Sequence, residues 1–228
     1  EFLNLDNNII TKIQGLENLD NLKQLHLSNN RIEQIENLND LSKLEYLCLS
    51  YNKIIIIKGL DNLKQLNQLL LYNNEIQILE GITNLISLVK LDLNYNRIEE
   101  IKEIGKLSNL KTFFLRENRL SKLKEMNHLI NLTNLDLSNN KIQKIENLEN
   151  LRNLTILRLG KNQIKEIEKL DNLTKLKSLN LSYNNIREIK NLDKLKNLTR
   201  LYLDGNPITQ IKGLENLDKL ESLGLNLE

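Results

Sequence analysis

The chain has no tryptophan, one cysteine, one proline, one methionine and only nine aromatic residues, six Tyr and three Phe, in 228 residues. Each shortage excludes something. The lone Cys48 rules out an intramolecular disulfide framework. With Pro207 alone and eight glycines, there is no Pro- or Gly-rich linker to divide the chain into domains. No apolar stretch approaches the roughly 20 residues that span a bilayer, and no signal-peptide pattern opens the sequence, so membrane insertion is not expected.

Charge is also without a bias of one sign, with 32 Lys and Arg against 30 Asp and Glu, a net charge of +2. The halves differ slightly. Residues 1–114 carry 12 basic and 15 acidic side chains and residues 115–228 carry 20 and 15, giving balances of −3 and +5. Such a gradient can orient a partner by steering, but it falls far short of a nucleic-acid footprint.

Chemistry-bearing motifs are missing too. There is no phosphate-binding glycine loop, no Cys or His pair at metal-ligand spacing and no nucleophile motif, so neither cofactor nor metal is expected. The only histidines are His26 and His128, and in the column that holds His26 no carboxylate lies within two strands, which leaves a His-based relay without a third member. The chain is expected not to be an enzyme.

What is there is a period. Asn8, Asn30, Asn52, Asn74, Asn96, Asn118, Asn140, Asn162, Asn184 and Asn206 follow one another at intervals of 22 with no insertion or deletion. Around each the frame LxxLxLxxNxIxxIxxLxxL returns, as at Leu132, Leu135, Leu137, Asn140, Ile142, Ile145, Leu148 and Leu151. A period this strict means one structural unit copied end to end. The chain resembles the leucine-rich repeat family over its whole length. The fold expected is an α/β solenoid, a horseshoe with a concave parallel β-sheet and a convex face of 3₁₀ turns or short helices. Residues 1–228 are expected to form one solenoid of about ten 22-residue repeats, truncated at both ends. Glu1-Phe2 and Leu227-Glu228 match dipeptides encoded by common cloning sites.

Within each unit the LxL triplet, for instance Leu25-His26-Leu27, alternates apolar and variable positions and predicts a strand buried on one face. The IxxIxxLxxLxx arc has apolar residues every third position, which suits 3₁₀ turns or loose coil better than a regular helix, although a helical arc stays open. The ten asparagines are predicted to form a buried ladder. A carboxamide both donates and accepts, and so can satisfy backbone groups that turn into a dry interior.

The residues between framework positions must carry function. Three outward columns line the sheet, and short polar residues such as Ser28, Asn94, Ser138 and Ser182 suit a purely structural face. Tyr46, Leu70, Tyr72, Phe114, Ile156 and Tyr202 depart from that pattern, with Asp92, Arg116, Asp136 and Arg158 among them. These ten are the candidate partner-binding residues, since aromatic and Arg side chains on an exposed curved sheet match the composition of interface hot spots. Asp136 and Arg158, one strand apart, either pair with each other or bind. Tyr51, Tyr95 and Tyr183 sit beside the face, directly before a ladder asparagine. On the loop edge, Ile55, Ile56 and Ile78 replace polar pairs and mark a second contact, a dimer seam or sequence drift. Arg31, Lys53, Arg97, Arg119 and Lys141 form a broken basic stripe that reads as a solvated edge. Cys48 reads as a small filler.

Arc phrases such as Ile35-Glu36-Asn37-Leu38 and Lys144-Ile145-Glu146-Asn147-Leu148 are similar to those of the 22-residue class in the regulatory subunit of type-1 protein phosphatase. That resemblance implies a non-catalytic scaffold gripping the phosphatase through its concave face, where Asp92, Phe114, Asp136 and Tyr202 occupy comparable columns; Arg158 and the basic second half depart from an acidic face. Bacterial internalins also use 22-residue repeats and give the second resemblance, implying a surface or secreted receptor-binding domain. Their arc usually carries Ser-Asp and a proline, and Pro207 is the only proline here. The targeting arm of a larger enzyme is a third possibility. The Cys-rich caps of extracellular relatives are absent, which slightly favours an intracellular setting, and oligomeric state is not legible.

Overall fold

The middle residue of each triplet from Leu25 to Leu201, Leu47, Leu69, Leu91 and Phe113 among them, is fully buried, whereas its two neighbours face outward. That period-2 pattern makes a strand with one dry face. The computed structural model describes residues 1–102 and 104–227. In chain order its strands are β1 (Phe2–Asn4), β2 (Gln24–His26), β3 (Tyr46–Cys48), β4 (Gln68–Leu70), β5 (Ile78–Leu79), β6 (Lys90–Asp92), β7 (Glu100–Ile101), β8 (Thr112–Phe114), β9 (Asn134–Asp136), β10 (Ile156–Arg158), β11 (Ser178–Asn180), β12 (Arg200–Tyr202) and β13 (Ser222–Gly224). All except β5 and β7 join in one 11-stranded parallel sheet, each strand paired with the next copy along the chain. Register is a constant 22, as in Leu25↔Leu47 and Asp92↔Phe114. Outward residues of neighbouring turns therefore stand side by side in straight columns.

Behind the sheet the arc returns through i→i−3 turns, such as Leu41 N–H to Leu38 O at 3.1 Å and Leu44 N–H to Leu41 O at 2.9 Å. Only Ile104–Lys106 and Met126–His128 are regular enough to count as 3₁₀ helix, and no α-helix occurs among the described residues. The expected α/β label and the short-helix alternative are corrected accordingly, and the solenoid is built of strands and turns. With apolar residues every third position, a 3₁₀ turn puts each one inward, while a 3.6-residue helix would rotate them off the core.

The core is one continuous cluster of Leu and Ile running the length of the stack. Asparagine closes it on one side. The Nδ2 of Asn52 donates to Leu27 O of the preceding turn at 2.9 Å and to Leu49 O of its own at 3.1 Å, while its Oδ1 accepts the Ile32 N–H at 2.9 Å. The same three contacts recur from Asn30 to Asn206. Asn8 differs from the expectation. It is exposed and, among the described residues, bonds Leu5 O and Asp6 O of its own turn, making neither of the two cross-turn contacts.

Among the described residues the turns bend at two left-handed corners. One directly precedes the ladder asparagine, as at Asn29 (φ 55°) and Tyr51 (φ 56°); the other lies on the arc, as at Asn37 (φ 57°) and Gly81 (φ 72°). At the second corner Asn37 and Asn147 donate from Nδ2 to Ile13 O and Leu123 O at 2.7 and 2.6 Å. A methyl group on Gly81 would instead overlap the carbonyl of Ile57. Asparagine and glycine are thus two local solutions to one corner, since both visit the left-handed region at low cost.

Candidate functional site

Constant register places the candidate residues in order across the sheet. Cys48, Leu70, Asp92, Phe114, Asp136, Arg158, Asn180 and Tyr202 are consecutive members of the central column. Tyr46 and Ile156 stand one column before and Tyr72 and Arg116 one column after. Arg116 is exposed; the other nine candidates are half-buried by their neighbours. The face they make is open and continuous.

Aromatic contacts concentrate in the first half. Tyr46 stacks on His26 with ring centroids 4.7 Å apart, and His26 meets Phe2 at 5.0 Å. Burial and the adjacent Cys48 push the Tyr46 hydroxyl up to about 12. Cys48 is itself buried, its Sγ 2.9 Å from Ser28 Oγ. His26 has a carboxylate nearer than expected, Asp6 Oδ2 at 3.8 Å from Nδ1. Asp6 belongs to the neighbouring column and reaches across to the one that holds His26.

The charged candidates split in an unexpected way. Asp136 and Arg158 do not pair. Arg158 Nη1 donates to Asn134 Oδ1 at 3.3 Å, and Asp136 Oδ1 accepts the Ser138 N–H at 3.0 Å. Asp92 does the same with Asn94 N–H at 3.0 Å, and Asn180 with Ser182 N–H at 2.9 Å. An acidic or amide residue in this column closes a local turn two residues on. Burial between Leu70 and Phe114 raises the pKa of Asp92, and the charge of Asp136 adds to the shift. Arg116 turns away from both acids and lies over Tyr95, 5.7 Å from the ring centre.

Over the second half of the sheet a groove of ≈ 610 Å³ is lined by Arg116, Asp136, Arg158, Lys161, Tyr183, Tyr202 and Asp204, among others. Lys161, Tyr183 and Asp204 are not among the ten candidates. Lys161 and Tyr183 occupy the corner before the ladder, outside the three sheet columns, and Asp204 stands in a column position that short polar residues usually fill. Tyr51 and Tyr95 share that corner and flank Tyr72 at 5.1 and 5.0 Å. A signal for the corner is legible in the residues, since the same repeat position holds Asn or Gly in five other turns, the mark of a left-handed conformation.

The loop-edge isoleucines have a structural outcome. Ile56 bridges Ile78 in parallel and β5 pairs with β7, so this part of the arc forms a second small ladder while Ile55, Ile56 and Ile78 stay exposed. β-branched Ile56 and Ile78 favour extended backbone, and Glu100 of the following turn joins the same ladder by pairing with Ile78. Along the basic stripe, Arg97 pairs with Glu75 at 2.8 Å and Arg119 with Glu99 at 3.6 Å. Among the described residues no three His, Cys, Asp or Glu are grouped to hold a metal, and no helix is long and apolar enough to cross a membrane.

The sequence profile of the family described as Leucine Rich repeats (2 copies) matches residues 1–40, 130–172 and 174–219, more than half of the chain. No curated protein matches it. Among solved structures, internalin F of Listeria monocytogenes is 30% identical over 99% of this chain, with a TM-score of 0.90. Internalin C2 of the same organism is 30% identical over 85% of the chain, with a TM-score of 0.78, and the functional domain of its InlJ is 25% identical over 99%, with a TM-score of 0.84. The chain spans 66% of the internalin F structure, 84% of internalin C2 and 53% of InlJ. Proteins of this fold are generally non-enzymatic scaffolds for protein interaction. The chain belongs to the leucine-rich repeat family.

Proposed function

We propose that this chain is a non-catalytic scaffold that binds a protein partner on the sheet face, centred on Tyr46, Leu70, Tyr72 and Phe114. One observation carries the proposal: these four are half-buried apolar side chains on the one open face, Tyr46, Leu70 and Tyr72 on two adjacent turns and Phe114 two turns further on beyond Asp92, in columns otherwise filled mainly by polar and charged residues. Large apolar side chains on an otherwise polar open sheet are what hot spots require, a flat surface that loses water on contact. Asp92, Arg116, Asp136, Ile156, Arg158 and Tyr202 extend the same face and supply charges of both signs for register.

The relatives bear on the kind of partner. Likeness to internalins across nearly the whole chain supports an internalin-like receptor-binding domain. The phosphatase reading rests on the Ile-Glu-Asn-Leu phrase, and this phrase has a structural cause: Asn37 and Asn147 are the left-handed corners that hydrogen-bond the preceding turn. A phrase required by the corner speaks for the fold rather than for a phosphatase.

The test is capture from lysate or from a displayed receptor library with the parent chain and with the triple variant Tyr46→Ser, Tyr72→Ser, Phe114→Ser. Serine stands in the columns of Tyr46 and Tyr72 at Ser178 and Ser28, and Phe114 faces outward on the same sheet, so melting should change little while capture is lost. A partner held equally well by both proteins would overturn the proposal; recovery of type-1 phosphatase, lost on Phe114→Ala, would restore the regulatory-subunit reading.

A further inference from the structure

At the corner before each ladder asparagine the backbone is left-handed in every turn. Asn7, Asn29, Asn73, Asn139 and Gly205 suit that conformation. Tyr51 and Tyr95 do not, yet they hold φ of 56° and 55° there, two turns apart, with half and about a third of each residue exposed. Glu117, Lys161 and Tyr183 hold this corner too, and a bulky side chain kept in the left-handed region is a strained position of the kind that concentrates at binding sites. Between them lies Tyr72, its ring tilted 50° to Tyr51 and 46° to Tyr95, with centroids 5.1 and 5.0 Å away. Arg116 closes the row over Tyr95 and makes no ion pair among the described residues. The result is a shelf of three rings on the sheet edge, cationic at one end.

We propose that this shelf binds a proline-rich segment in the polyproline II conformation, with prolines three residues apart against Tyr51 and Tyr95 and an acidic side chain at Arg116. The spacing decides the occupant. In polyproline II, residues i and i+3 share a face and stand about 9.3 Å apart. Two strand spacings separate equivalent atoms of Tyr51 and Tyr95 by about 9.6 Å. The two periods agree within a few tenths of an ångström, so neither chain must bend. Polyproline II also leaves its carbonyls unpaired, and tyrosine offers both a flat apolar ring and a hydroxyl donor to meet them. The unpaired guanidinium of Arg116 sets direction by charge complementarity, taking a carboxylate at its end of the segment. Tyr183 shows the contrast: it packs against Gly205 and Lys161, with no second tyrosine two turns away at its own corner. This site is additional to the sheet-face patch and shares only Tyr72 and Arg116 with that surface.

The experiment is calorimetric titration of the whole chain with a synthetic Pro-x-x-Pro peptide carrying a glutamate beyond one proline. Its controls are the same peptide with both prolines replaced by alanine and the protein variant Tyr51→Asn/Tyr95→Asn. Asparagine keeps the corner, as at Asn29 and Asn73, so the variant should melt no lower than the parent. Each control is expected to weaken binding by about tenfold or more. Arg116→Ser, which copies Ser138 of the next turn, should weaken only the glutamate peptide. Equal affinity for the alanine peptide, unchanged affinity in Tyr51→Asn/Tyr95→Asn, or no heat at millimolar peptide would overturn the proposal. Tyr46→Ser/Phe114→Ser should leave the peptide bound while abolishing partner capture, so the edge site and the sheet-face site fail separately.

Discussion

Asn96 and Asn118, one turn apart, donate to the same acceptor, the carbonyl oxygen of Leu93, at 3.1 and 2.9 Å. Every interior carboxamide therefore serves at least two carbonyls, and each leucine carbonyl of this row from Leu5 to Leu181 receives two carboxamides. Asn118→Ala removes donors from Leu93 O and Leu115 O and strands the buried Ile98 N–H, which Asn118 Oδ1 accepts at 2.9 Å. An unpaired buried group costs about 1–3 kcal/mol, so urea denaturation should show a loss of about 2–4 kcal/mol. Asn8→Ala, exposed and outside the ladder, should change stability by less than about 0.5 kcal/mol. Equal losses would sink the ladder as a source of stability.

Leu93 is fully buried, and its outward neighbours Asp92 and Asn94 leave it no route to solvent. Truncation to alanine leaves a cavity that rigid turns on either side cannot close. Leu93→Ala should cost about 2–5 kcal/mol by chemical denaturation. A loss below about 1 kcal/mol would show that the stack relaxes into the space.

Gly81 and Gly15 occupy the same arc corner, with φ of 72° and 76°. A methyl group on Gly81 meets the Ile57 carbonyl, whereas one on Gly15 meets nothing within 4 Å. Gly15→Ala should therefore cost only the left-handed conformation, about 1–2 kcal/mol. Gly81→Ala should cost clearly more, because two turns must also move apart. Matched melting temperatures for the two variants would show that this contact does not limit the spacing of the turns.

Burial holds the Asp92 carboxyl above its ordinary pKa of 3.8. The folded protein keeps this proton to higher pH than the unfolded chain, so unfolding releases it between the two values and stability falls as pH rises through that window. The penalty is absent below pH 3.8 and complete above the raised folded value. Asp92→Asn should raise the melting temperature at pH 7, with the difference fading toward about pH 3. Asparagine fits there, since Asn180 makes the same contact to Ser182 N–H at 2.9 Å. A variant that gains nothing at pH 7, or gains equally at both pH values, would refute the burial cause.

Most of the frame could be read from spacing. Leu25, Leu47 and Leu69 recur in phase, and an interval of 22 without a slip leaves one register for the sheet. Candidate residues such as Tyr46, Leu70 and Phe114 could be placed on one face for the same reason. Their charged neighbours could not be paired in advance. Whether Arg158 takes Asp136 or Asn134, and whether Arg116 takes an acid or the ring of Tyr95, turns on ångström differences among several reachable partners.

The one-dimensional pattern determined the solenoid, the apolar columns and the interior asparagines from Asn30 to Asn206, because each is a local rule repeated and repetition leaves no alternative pairing. Tertiary structure alone decided the second ladder through Ile56, Ile78 and Glu100, the His26–Asp6 approach, and the row of Tyr51, Tyr72 and Tyr95. Those arise from side chains about 22 residues apart that become neighbours only once the turns have stacked, where packing and charge choose among contacts that spacing leaves equivalent.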